Sequence, residues 1–434
     1  MLCSPIWFDY ECGRISEDDC YRLTGDVFAV DARDVRQAIA EARKSLTPDN
    51  TFFGFIKELQ EESGGRLRII AMSNISAPDY ECIRKHPVDW SLFQRVFTSA
   101  EAGMRKPSLQ FYRYVLETIA VDPSTVVFVD DRLENVTSAR SLGINGIVFN
   151  DPAKVRQALY HYVGDPTLRG RTFLEARAGQ LESETTWGHP IDENFSQLLI
   201  LEATGDKKLV RYAQPPRTWN FFRGKPQFTT KSLPADLDTT SVGLMVTRPE
   251  DAVVNSVMEE MLGYVEADGI PQTRPRIDPV VCANVLSLFY SRGRGSELPR
   301  ALAWVQGTLE HRAYLEGTLY YQTAESFLFF VSRLLRSTDN EALRAQLAPL
   351  LKERLSERIG AHGTALALAM RIIACASVGV RDEVDLRELL QLQLEDGGWE
   401  ASGIYRYPTS GIVVGNRGLT TAFALNAIAT VEGP

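Results

Sequence analysis

The chain has 434 residues, 44% of them apolar by type, which is enough for two domains with cores of their own. Its 47 Lys and Arg against 56 Asp and Glu give a net charge of −9, and no basic block stands out, which argues against nucleic acid or an anionic membrane surface as partner. Cys3, Cys12, Cys20, Cys82, Cys282 and Cys375 are scattered without a CxxC pair, and neither a basic leader nor a membrane-length apolar run is present, so the expectation is a cytoplasmic protein that is not an integral membrane protein.

In chain order, Gly13-Arg14-Ile15-Ser16-Glu17 reads as a turn and a helix N-cap. Helical stretches are expected at about 52–63, 79–85, 108–119 and 132–142. The apolar runs 67–73 and 125–131 read as buried parallel strands between them. Strand and helix in alternation predict a doubly wound α/β sheet, whose ligands sit beyond the carboxyl ends of the strands. Ser73, Asp130 and Asp131 would face one such site, and Lys106 is placed to join them.

Residues 151–187 turn polar, with Pro152, Gly164-Asp165-Pro166 and Gly170 as breakers, and a linker is expected over 161–187 between domains at 1–160 and 188–434. Helical periodicity resumes at Phe195. A loop over about 213–235, with Trp219, Phe221, Phe222, Lys225 and Lys231, leads to Asp236-Leu237-Asp238-Thr239-Thr240. Two readings of this segment stand side by side. Asp and Thr are good helix N-caps. Two carboxylates two residues apart also suit general acid chemistry, one holding a proton because its neighbour makes ionisation costly. Further helices are expected at about 250–265, 279–290, 298–311, 323–336, 341–356, 363–376, 384–393 and 419–429, with strand signals nearly absent, so this half should be all-α. Its clustered aromatic residues are mainly core, though a few are what a carbocation would need beside it.

Two resemblances follow from these motifs. Ser73, Lys106 and the pair Asp130-Asp131, in that order, are similar to the haloacid dehalogenase superfamily. The resemblance implies phosphate bound at Ser73, a stabilising Lys106, Mg²⁺ at Asp130 and Asp131, and a helical cap. That superfamily's nucleophile, an Asp at the end of a first strand, has no counterpart in this sequence. Asp9, in Trp7-Phe8-Asp9-Tyr10-Glu11, runs straight into a helix start, so the phosphatase-like domain reads as incomplete. Asp130-Asp131-Arg132-Leu133-Glu134 also fits the Asp-Asp-x-x-Glu pattern of class I terpene synthases. There the motif lies on a helix, whereas here it follows a strand.

The segment Asp236–Thr240, with Gln393 and Asp396-Gly397-Gly398-Trp399 downstream, resembles the β-type α-barrel domain of class II terpene cyclases. In that family the middle Asp protonates a polyprenyl alkene and the Gln–Trp motif ties helix ends together. Carried over, Asp238 is the acid, Asp236 its partner, and Thr239 and Thr240 support them. Lys231, Arg274, Arg276 and Asn284 are the candidates for gripping a diphosphate. The whole chain also looks like fungal fusions of the two domain types that cyclise farnesyl diphosphate to drimane-type sesquiterpenes. Three things are implied: a class II cyclase using Mg²⁺ across the diphosphate, a drimanyl diphosphate product, and a separate downstream phosphatase. Alternatives are a bifunctional cyclase–phosphatase that releases the alcohol, a small-molecule phosphatase with a helical specificity domain, and a non-catalytic binding protein.

Overall fold

The computed structural model describes residues 1–272 and 276–432. Two compact units divide at Gly164 and Asp165.

The first unit opens with three short helices, Pro5–Glu11, Glu17–Phe28 and Ala32–Ser45. The side chains of Ser4, Ser16 and Asp31 accept hydrogen bonds from the first turns of these helices. Trp7, Tyr10, Cys20, Tyr21 and Val35 form their shared core. Arg43 then bonds Glu17 at 2.6 Å and Asp79 at 2.7 Å, tying this cap to the helix Ala77–Ile83. Beneath it lie β1 (Ile70–Ser73), β2 (Arg95–Thr98), β3 (Val127–Asp130) and β4 (Asn145–Val148). β1 pairs in parallel with β2 and β3 with β4, as the α/β reading requires, but among the described residues no ladder joins β1 to β3. The helix Leu109–Ile119 runs beneath both pairs. Its Phe111 and Val115 meet Phe97 and Met72, and its Tyr112 and Leu116 meet Phe128 and Val126. The ammonium of Lys106 bridges the two pairs above, bonding Met72 O at 2.8 Å and Asp130 Oδ2 at 2.6 Å.

In the second unit, six helices close a ring: Phe195–Thr204, Leu237–Thr247, Pro279–Ser291, Ala324–Arg336, Ala365–Ser377 and Arg417–Glu432. Each touches the next, and the last touches the first. Most of their sequences are apolar nearly all round, as helices walled on every side must be, while Ala324–Arg336 is amphipathic yet buried from Ala324 to Leu335. Pro166–Ala176, Pro299–Glu310, Glu341–Ser356 and Glu383–Gln391 pack outside this ring.

The expected linker is not one. Residues 161–187 hold the end of one helix, all of Pro166–Ala176, and β5 (Ser183–Thr185). Pro152 and Pro166 are not breakers but first-turn residues behind Asp151 and Asp165, where proline's fixed φ and missing N–H cost nothing. Gly170 is where this helix approaches the ring: a Cβ there would lie 2.8 Å from Leu425. A second departure is an antiparallel sheet of β5, β6 (Pro190–Ile191), β7 (Ser402–Arg406) and β8 (Val413–Asn416), ordered β6-β5-β8-β7.

The Gln–Trp motif clamps helix ends as its resemblance implied. Gln393 Nε2 donates to Gly397 O at 2.8 Å and Pro166 O at 2.9 Å. The buried Trp399 indole donates to Leu389 O at 2.8 Å. Gly397 has φ +85°, and a Cβ there would strike Arg169 O at 2.4 Å, so glycine is required twice over.

Candidate active site

The N-cap reading of Asp236-Leu237-Asp238-Thr239-Thr240 holds, and its geometry is compatible with the other. Asp236 is the N-cap of Leu237–Thr247, its Oδ1 accepting from Thr239 N at 2.7 Å, and this cap presents Asp238 from the first helical turn. Asp238 is 8% exposed. Its Oδ1 accepts from Asn284 Nδ2 at 2.6 Å, and its Oδ2 meets the hydroxyl of Tyr321. Burial raises its pKa to about 7, the charges of Asp236 and Asp278 push the same way, and the bonds from Tyr321 and Asn284 pull against them. A carboxyl held there is neutral for much of its time near neutrality. The two donors strengthen as its proton leaves, so it gives the proton up readily once a base is presented.

The threonines do not hold this acid. The hydroxyl of Thr240 accepts from Trp219 N at 2.9 Å and donates to Trp219 O at 3.2 Å, pinning the preceding loop against the acid's helix. Gly243 makes the approach possible, since a Cβ there would stand 2.6 Å from the Trp219 ring. Thr239 is buried and lines the cavity.

That cavity has a volume of about 850 Å³. Asp236 and Asp238 lie in its wall with Phe195, Phe221, Tyr320 and Tyr405. Tyr405 stacks between Phe221 and Tyr320, with ring centroids 4.9 and 5.6 Å away. Faces of this kind attract a cation without offering a nucleophile to trap it. Thr229, Thr230, Gln272, Arg276, Thr409 and Ser410 supply polar groups to the same wall.

Of the four candidates for gripping an anion, Arg276 alone lies on this cavity among the described residues. Lys231 is exposed and outside the lining, and Arg274 lies outside the described residues. Asn284 is corrected outright. It is fully buried, and its amide spans Asp238 and Arg333, whose Nη1 donates to Asn284 Oδ1 at 3.1 Å. It holds the acid, not the diphosphate. Tyr321, Arg333 and Glu202, which pairs with Arg333 at 2.8 Å, carried no role in the sequence reading.

In the first unit a cavity of about 740 Å³ lies between cap and strands, lined by Glu11, Arg43, Asn74, Arg105, Lys106 and Arg132 among others. Lys106 and Asp130 meet as expected. Ser73 ends β1 opposite Thr98, next to Met72, whose carbonyl accepts from Lys106, and Asp131 is exposed. Asp9 is paired with Arg14 at 2.9 Å on the surface, away from the cavity lining. The residues do not fit the Mg²⁺ assigned to Asp130 and Asp131. Asp130 Oδ2 is held by Lys106, and its Oδ1 accepts from Arg132 N and Asn135 Nδ2, both at 2.9 Å. Burial alone would raise the pKa of Asp130, but Lys106 and these donors outweigh it and lower it. Among the described residues no group of three His, Cys, Asp or Glu side chains is arranged to hold a metal in either unit, and no helix is long and apolar enough to cross a membrane.

Known proteins divide along the same lines. Residues 4–143 match the haloacid dehalogenase-like hydrolase family, and residues 167–292 match the sesquiterpene cyclase astC-like C-terminal domain. The chain is 46% identical to drimenol cyclase drtB of Aspergillus calidoustus over 99% of its own length and 82% of that protein's. It is 34% identical to sesquiterpene phosphatase astK of Aspergillus oryzae over 38% of this chain and 82% of that one. Among solved structures, type II terpene cyclase MstE from Scytonema aligns with 62% of this chain and 97% of its own, at 14% identity and a TM-score of 0.45.

Proposed function

We propose, for a chain that belongs to the family of haloacid dehalogenase-like domains fused to drimane-type class II sesquiterpene cyclases, that its substrate is farnesyl diphosphate and its immediate product a drimane-type bicyclic diphosphate. The observation that carries this reading is a buried carboxyl, Asp238, held by Asn284 and Tyr321 in the wall of a cavity otherwise rich in aromatic rings.

The distal alkene of the folded chain takes the proton of Asp238 with its π electrons, leaving a tertiary cation. Two successive double bonds close two rings onto it, and loss of a C–H proton restores an alkene. Asn284 and Tyr321 receive the charge left on Asp238, and the stacked Phe221, Tyr405 and Tyr320 face the cation as it moves. Water is kept from the cation by the apolar wall, so ring closure outruns quenching. The diphosphate is not broken in this sequence. Mg²⁺, when bound, would neutralise charge on the substrate's diphosphate, and Arg276 is the described cation nearest to hand in the cavity wall.

Retention of the diphosphate is supported by the first unit, where Lys106 and Asp130 are closed on each other. A second reading, direct release of the alcohol, draws support from the name of the drimenol cyclase relative and from the resemblance of 38% of the chain to a sesquiterpene phosphatase. Incubation of the purified protein with farnesyl diphosphate and Mg²⁺, extracted with and without a phosphatase added afterwards, separates the two. A bicyclic alcohol seen only after added phosphatase is expected. Its appearance without help would replace the first reading by the second, and no bicyclic product under either condition would sink both.

A further inference from the structure

Arg333 is 3% exposed, deep within a ring whose other walls are mostly apolar. Its partner Glu202 is exposed, so only the arginine end of the ion pair is taken out of water, and that end gives up hydration that an apolar side chain of similar volume would not need. The guanidinium is fully directed. Its Nε and Nη2 hold the carboxylate of Glu202 at 2.8–3.0 Å, and its Nη1 points at Asn284 Oδ1. Glu202, Asn284 and Arg333 come from three different helices of the ring, Phe195–Thr204, Pro279–Ser291 and Ala324–Arg336.

An amide can face its neighbours either way round. A guanidinium has donors only, so the carbonyl of Asn284 must turn to Arg333 and its NH₂ to Asp238 Oδ1. With Oδ1 kept as an acceptor, the acidic proton can sit only on Oδ2. In the opposite orientation, the carbonyl of Asn284 would accept that proton on Oδ1 and hold it away from the substrate.

We propose that Arg333, anchored by Glu202, is a positioning residue that fixes the amide of Asn284 and thereby assigns the transferable proton to Asp238 Oδ2. This rests on the reading of Asp238 as the acid. The charged and titratable groups around the acid are Asp236, Asp278, Tyr321, Tyr405 and Cys282, and those around Arg333 are Glu202 and Arg336. Of these, Arg333 alone touches the amide that touches the acid.

The test compares kcat, KM and the pH dependence of kcat with farnesyl diphosphate for the wild type, Arg333→Gln and Arg333→Lys, with thermal melts as a folding control. Gln can donate or accept, so the amide loses its direction. The expected result is a kcat lower by about tenfold or more, a KM within about twofold, and a high-pH limb moved upward by about one unit, because an acceptor beside the acid favours its protonated form. Lys has donors only and should return the limb to the wild-type position even if its rate stays low. Should Arg333→Gln fail to fold, the Lys variant decides: a limb displaced upward there overturns the proposal. So does an unshifted limb in a folded Arg333→Gln. A wild type that yields no bicyclic product defeats the functional reading itself, before any variant is compared.

Discussion

Replacing Asp238 by Asn should abolish cyclisation and at the same time stabilise the second unit. The carboxyl is raised from 3.8 to about 7 by burial and by its acidic neighbours. Between those values the unfolded chain releases a proton that the folded protein keeps. The folded state binds more protons there, and stability falls as pH rises. The full shift corresponds to about 4 kcal/mol lost at pH 7 and above, against about 2 kcal/mol at pH 5 and well under 1 kcal/mol near pH 4. Asn has the shape of the protonated acid: its carbonyl accepts from Asn284 and its NH₂ donates to Tyr321, without the cost of a buried charge. Urea denaturation of both proteins at pH 5, 6, 7 and 8 measures the effect. The variant's advantage should grow across that range and then level off above pH 7. An advantage independent of pH, or a wild type more stable than the inactive variant at pH 8, would refute the reasoning.

Three further outcomes follow from named contacts. Tyr321→Phe removes a donor that stabilises the ionised acid, so kcat should drop by about a hundredfold, with the high-pH limb of the rate profile moving upward from about 7; an unshifted limb would mean that Tyr321 only packs. Asp130→Asn strands the buried Lys106 and should cost the first unit about 3–5 kcal/mol in a denaturant titration. Cyclisation by the second unit should be little changed, and equal loss of cyclisation with Asp238→Asn would contradict the division of labour. Gly243→Ala drives a methyl group into the Trp219 ring and should destabilise the second unit by about 1–3 kcal/mol while also lowering turnover, because the same loop is bonded to Thr240; wild-type melting and rate would show the loop to be free to move.

The pair proposed to include the acid was legible in the sequence because it is a local pattern. Asp236 and Asp238 are two residues apart, and the N-cap that one forms is what aims the other. What holds the acid was not legible in the same way. Asn284 was visible as a polar residue in an apolar run but pointed to the wrong ligand, since nothing local shows that its helix faces Asp238. Arg333 sits in a helix of strong periodicity, where an arginine reads as the wet side; only a second helix offering Glu202 makes a buried one tolerable. The strands β2 and β4 are four residues long and open on Arg95 and Asn145, and β5 to β8 have two to five residues each, too short for alternation to register. The breakers at 164–170 misled because proline behind an aspartate starts a helix as readily as it ends one.

The clamp made by Gln393 and Trp399 also sets an order of events during synthesis. Arg169 meets Gln393 across 224 residues of sequence, and Asn416 meets Leu181 across 235. The ring lacks its last member until Arg417–Glu432 has left the ribosome, so the apolar faces of the other five helices wait without their final neighbour while the rest of the chain is made. Closing so long a loop is slow and leaves sticky surface exposed in the interval, whereas the first unit, complete by Gly164, has all its contacts to hand much earlier. Nascent chains stalled before residue 417 should therefore yield a protease-resistant first unit and a degraded second one; equal resistance of both would show that five helices hold the ring without the sixth.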